Sequence, residues 1–176
     1  MTTTGKLIGI AGWSGSGKTH LVRRLIPELR RRGLRVATIK HAHHNFDVDT
    51  PGKDSYEHRH AGAQEVLVSS ASRWALMHEH RDDEREPTLW ELLPSLAPVD
   101  VILVEGFKRE GQPKLEVHRP SLGKVLLARD DPKVVTVASD APLSDTGIPV
   151  VDLNDIAAVA DTVLARAVPL GELTGG

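Results

Sequence analysis

Eight consecutive residues, Gly12-Trp-Ser-Gly-Ser-Gly-Lys-Thr19, fit the pattern G-x-x-x-x-G-K-[ST]. The chemistry open to such a run is phosphate binding. Glycines at 12, 15 and 17 let the backbone curl with its N–H groups turned inward, and a helix beginning beside Lys18 adds positive potential. Gly12, Trp13, Ser14, Gly15, Ser16 and Gly17 would then form the cradle for a triphosphate. Lys18 would neutralise the β- and γ-phosphates, and the Thr19 hydroxyl would coordinate Mg²⁺. Positioned charge is the main resource in phosphoryl transfer, so Lys18 is also a candidate catalytic group. Trp13 is bulky for such a loop and has a plain alternative role, packing on the neighbouring surface.

A second acidic motif is expected at the end of a buried strand, and Asp100-Val-Ile-Leu-Val-Glu105-Gly106 offers one. Ligands of parallel sheets bind outside the carboxyl ends of the strands. Glu105 falls there, placed to hold Mg²⁺ through water or to orient an attacking water. Asp100 starts the strand, and five residues at about 3.3 Å each put it roughly 16 Å away. The competing reading of Glu105 is a carboxylate that caps a turn.

Lys40-His-Ala-His-His44 and Asp47-Val-Asp49 leave the second strand on the same sheet edge. His41, His44 and Asp47 are candidate nucleotide or substrate contacts on a loop that closes over phosphates. An ordinary solvated loop and a zinc site are the alternatives, although the histidines lack the fixed helical spacing of strong zinc motifs. His58, His60, His78 and His80 sit among charged neighbours and read as solvated surface.

Elements must position these groups. β-Branched segments at 7–11, 35–40, 65–69, 74–78, 101–104, 114–118, 134–138 and 150–153 alternate with helical patterns at 18–32, 54–62, 88–96 and 155–167. That alternation predicts an α/β fold of the P-loop NTPase type, a mainly parallel sheet flanked by helices, with 65–78 available for an antiparallel hairpin extension. Pro27 interrupts the donors of the first helix, and Asp54 with Glu57 has the form of a capping box.

The chain of 176 residues suits a single nucleotide-binding domain over 1–170, with 171–176 a frayed tail. A formal charge of −2 gives no global field toward nucleic acid or an anionic membrane. Absence of cysteine excludes disulfides and thiolate sites. The first residues lack the regions of a secretory signal, and the apolar stretch 101–104 is far too short to span a bilayer. A cytoplasmic protein is expected.

Several blocks together are more specific than the phosphate loop. They are Ile8-Gly-Ile-Ala-Gly-Trp-Ser-Gly-Ser-Gly-Lys-Thr19, Ile39-Lys-His-Ala-His-His44 with Phe46-Asp47, and Asp49-Thr-Pro-Gly-Lys-Asp-Ser-Tyr56. Arg59-His-Ala-Gly-Ala63, Leu103-Val-Glu-Gly-Phe-Lys108 and Pro113-Lys-Leu-Glu116 follow in order. In these blocks the chain resembles the molybdopterin-guanine dinucleotide biosynthesis protein B family (MobB), a P-loop GTP-binding family. The resemblance implies a homodimer that binds GTP with Mg²⁺ and hydrolyses it weakly. It would assist a partner, the molybdopterin guanylyltransferase, in joining GMP to molybdopterin to form molybdopterin-guanine dinucleotide. Carried across, residues 12–19 bind triphosphate, Thr19 and Glu105 serve the metal, and the 40–55 segment faces nucleotide or pterin.

No Asn-Lys-x-Asp guanine motif is present. Asp140 lies past the 134–138 strand, where a carboxylate can accept from guanine N1–H and N2–H₂; a local turn cap is its other reading. The rival function is a small-molecule kinase acting on a pterin or nucleoside with ATP or GTP. A third is a metal-handling chaperone built on His41, His43 and His44.

Overall fold

The structure, a computed structural model, describes residues 5–42, 46–81 and 83–173; His43 and His44 therefore lie outside the described residues. The elements run β1 (Lys6–Ala11), α1 (Lys18–Arg31), β2 (Val36–Lys40), α2 (Asp54–His60), β3 (Glu65–Ser69), β4 (Trp74–His78) and α3 (Leu89–Leu92). They continue β5 (Val101–Glu105), β6 (Lys114–His118), β7 (Val134–Ser139), β8 (Val150–Asp152), α4 (Ile156–Arg166) and β9 (Val168–Pro169). The chain divides into two compact units, Ala42–Thr88 and the residues on either side of it.

In the larger unit the sheet order is β2-β5-β1-β6-β7-β8, with all of these neighbours parallel and β9 antiparallel on β1. The period of two sorts side chains between two covered faces. Ile8, Ile10, Val101, Leu103, Leu115 and Val117 share one core with Leu21, Leu25 and Leu29 of α1 and with Val159, Ala160 and Val163 of α4. Leu7, Ile102 and Val104 point the other way, toward Leu89 and Leu93. Both strands β1 and β5 read as unbroken apolar runs for this reason. Each leucine fully buried on α1 contributes about 1.5–3 kcal/mol of transfer energy.

Helix α1 passes through Pro27 without interruption. It closes with Gly33 N donating to Arg30 O and Leu34 N to Leu29 O, a Schellman pattern whose Leu34 joins the core beside Leu29. Glu28 is clasped by Arg31 and Arg32 on the same helix. Asp155 caps α4, its Oδ1 accepting from Ala158 N at 3.0 Å.

Two expectations are corrected. The 88–96 helix shrinks to α3 and a 3₁₀ turn at Leu93–Ser95, because Pro94 has no N–H to carry an α-helix onward. The capping box does not form: Lys53 is the N-cap of α2 and no side chain caps it.

The smaller unit holds α2 and the antiparallel hairpin β3–β4, registered from Glu65 opposite His78 to Ser69 opposite Trp74. Val66 is buried there, whereas Leu67, Val68, Trp74 and Leu76 are exposed. Among the described residues no helix is long and apolar enough to cross a membrane.

Candidate functional site

Strand β1 ends at Ala11, and residues 12–17 turn the chain into α1. The turn is tight enough to demand glycine at 12: φ is 143°, and a Cβ there would stand 2.6 Å from both Ser16 Oγ and the Val117 carbonyl. Ser16 is buried, and its hydroxyl has no hydrogen-bond partner. The Ser16 amide donates to Trp13 O at 3.1 Å. Among the described residues, the amides of Ser14, Gly15, Gly17, Lys18 and Thr19 have no main-chain acceptor, as expected of a loop feeding a helix N-terminus.

Lys18 Nζ donates to the carbonyls of Gly12 at 2.9 Å and Trp13 at 3.0 Å, so its ammonium spans the loop. Burial pushes the Lys18 pKa down; nearby Glu105 opposes this, while Lys108 and Lys40 add to it. Thr19 Oγ1 donates to Glu105 Oε1 at 2.9 Å, and Lys40 Nζ lies 3.8 Å from the same oxygen. Register explains the meeting: Glu105 ends β5 directly between Ile10 of β1 and Lys40 of β2. Asp100 immediately precedes the same strand and is held by the main-chain N–H and guanidinium of Arg35.

His41 stands beside Glu105 because its amide donates to Glu105 O at 2.8 Å. A Cβ on Gly106 would lie 2.5 Å from His41 Cβ, and the turn continues through Phe107 with φ 47°. The His41 and Phe107 rings then sit 5.1 Å apart. Of the other segment residues, His44 is outside the described part. Asp47 belongs to the smaller unit, where its Oδ1 accepts from Arg59 at 2.8 Å beside Asp49 on the same guanidinium.

Asp140 follows β7, and its Oδ2 accepts from Arg119 Nη1. Arg119 Nε donates in turn to Ser16 O at 3.0 Å, so one guanidinium ties the phosphate loop to Asp140. The sequence reading passed over Arg119. Its one available signal was position, directly after β6 and next to the central strand. A cleft of about 230 Å³ opens at Asp140, lined by Ser139, Ala141, Pro142, Val151 and Asp152 among others. Trp13 is also fixed: its indole Nε1 donates to Val125 O at 2.7 Å, and Lys124 Nζ lies 5.9 Å from its ring centroid. The segment it touches is anchored by buried Glu116, which accepts from the Leu127 and Ala128 amides.

The arrangement is a strand–loop–helix anion cradle with an ammonium inside, a hydroxyl–carboxylate pair at one end and a carboxylate-lined cleft at the other. Residues 7–140, which include the cradle, the Thr19–Glu105 pair and Asp140, match the family model for molybdopterin guanine dinucleotide synthesis protein B. The Escherichia coli molybdopterin-guanine dinucleotide biosynthesis adapter protein is 46% identical over 164 residues, covering 90% of this chain and 91% of the relative. Its Haemophilus influenzae counterpart is 41% identical over 160 residues, covering 89% and 86%. A crystal structure of molybdopterin-guanine biosynthesis protein B superposes with a TM-score of 0.69 at 25% identity, covering 90% of this chain and 98% of that one. By model, identity and fold alike, the chain belongs to the molybdopterin guanine dinucleotide synthesis protein B family.

Proposed function

We propose that this chain is a cytoplasmic GTP-binding accessory protein of molybdenum cofactor biosynthesis. It assists a guanylyltransferase in attaching GMP to molybdopterin. The observation that carries the reading is the loop at 12–19, whose uncommitted amides, unpaired buried Ser16 hydroxyl and inward Lys18 suit a polyphosphate. The adapter relatives supply the pathway.

Mg²⁺ fits the donors present, since Thr19 and Glu105 offer a hydroxyl and a carboxylate oxygen 2.9 Å apart. Bound there, the ion would neutralise phosphate charge. Turnover is weak because Arg119, the arginine at the loop, is already committed to Ser16 O and Asp140. Asp140 and its cleft receive the guanine base. A homodimer accords with the exposed Leu67, Val68, Trp74 and Leu76 of the hairpin.

The test is reconstitution. Adding the purified chain with GTP and Mg²⁺ to the guanylyltransferase and molybdopterin should raise the yield of guanine dinucleotide, and Lys18→Ala should cancel the gain. Rapid phosphorylation of a pterin or nucleoside by the chain alone would instead identify a kinase and overturn the reading.

A further inference from the structure

We propose that His78, His80 and Glu84 form a binding site for a divalent transition-metal ion of the zinc type. The three side chains are exposed and lie within the smaller unit, and one ligand atom from each falls within 4.8 Å of the others. His78 Nε2 and His80 Nδ1 each stand 3.6 Å from Glu84 Oε2. That spacing is too long for a hydrogen bond. It matches the edge between two ligands at about 2.1 Å from a shared ion, which spans roughly 3.4–3.6 Å at tetrahedral to trigonal angles. The two rings meet edge to face with centroids 5.5 Å apart, so both imidazoles stand beside the same carboxylate oxygen.

The surroundings orient the donors. His78 ends β4 directly opposite Glu65, the first residue of β3, and its Nδ1 pairs with Glu65 Oε1 at 2.9 Å. A carboxylate on one ring nitrogen fixes the tautomer and leaves Nε2 as the ligand, the arrangement that commonly supports metal-bound histidine. Glu84 is anchored from two sides: Oε1 accepts from Gln64 Nε2 at 3.3 Å and Oε2 from the Arg81 amide at 3.3 Å. Gln64 Oε1 also accepts from the Arg81 guanidinium at 2.6 Å, so the bend after β4 is laced to the residue that precedes β3. Two imidazoles and a carboxylate favour zinc, nickel, cobalt or copper over magnesium or calcium. Three protein ligands leave one position for water.

The experiment uses the full chain stripped with chelator. Calorimetry with ZnCl₂ should show one saturable equivalent per chain, and Co²⁺ should give the visible absorption of a four-coordinate nitrogen–oxygen site. His78→Ala combined with His80→Ala should abolish both signals with the circular dichroism spectrum unchanged. Glu65→Gln, which keeps all three ligands, should weaken zinc binding roughly 10- to 100-fold. Absence of saturable binding would overturn the site. So would zinc retention that survives the double substitution, or that is lost instead on replacing His41, His43 and His44.

Discussion

Thr19 and Glu105, separated by 86 positions in the chain, meet through a hydrogen bond of 2.9 Å. The contact exists because β1 and β5 are neighbours in parallel register, which sets the first turn of α1 against the end of β5. Glu105→Gln keeps an acceptor for Thr19 and removes only charge. Mg²⁺-dependent GTP hydrolysis should fall at least tenfold, about 1.4 kcal/mol of barrier, with GTP affinity changed much less. Phosphate release and calorimetry check this, and an unaltered hydrolysis rate would remove Glu105 from the mechanism.

Lys18→Ala deletes an ammonium that would make charge-assisted bonds to phosphate, each contributing about 1.5–3 kcal/mol. GTP affinity should drop roughly 100-fold with the unfolding midpoint nearly constant. Binding that persists at the original strength would place the triphosphate elsewhere.

Asp140→Asn replaces one acceptor oxygen with a donor, which conflicts with the donor edge of guanine. Preference for GTP over ATP should shrink, measured as a ratio of dissociation constants. A preserved ratio would move base recognition away from the cleft at β7. Arg119→Met should lower affinity for both nucleotides, because it cuts the tie between Ser16 and Asp140.

Gly106→Ala sets a methyl 2.5 Å from His41 Cβ at a backbone with φ 95°. The strain should cost about 1–3 kcal/mol in denaturant unfolding. An unchanged midpoint would mean that β2 and β5 do not approach this closely at their ends.

Glu28 gives a pH signature away from the site. Hydrogen bonds from Arg31 and Arg32 pull its pKa from 4.5 to about 2. The folded value lies below the unfolded one, so the contribution is complete above about pH 4.5 and fades as pH falls toward 2. Glu28→Gln should flatten the thermal-midpoint curve in that window; a parallel curve would show that the clasp is without effect.

Strand and helix positions were readable because the apolar periods of β1, α1 and β5 are set by packing on two faces. The phosphate loop was readable because glycine at 12 is a steric necessity that leaves a letter in the chain. Long-range pairing leaves no such letter. Arg119 finds Ser16 across 103 positions, and Trp13 finds Val125 across 112, so neither tie could be read locally. Pro94 does leave a letter: lacking an N–H, it confines the 88–96 segment to α3 and a 3₁₀ turn.

The central place of β1 has a consequence for how the protein is made. Its two parallel partners are β5 and β6, so β1 has no parallel neighbour until about a hundred further residues have been synthesised. At roughly 5–20 residues per second that wait lasts on the order of 5–20 s. During translation the anion cradle therefore becomes competent well after its own residues are made, and a nascent chain stalled before β5 would expose Leu7, Ile8 and Ile10 to whatever chaperone is at hand.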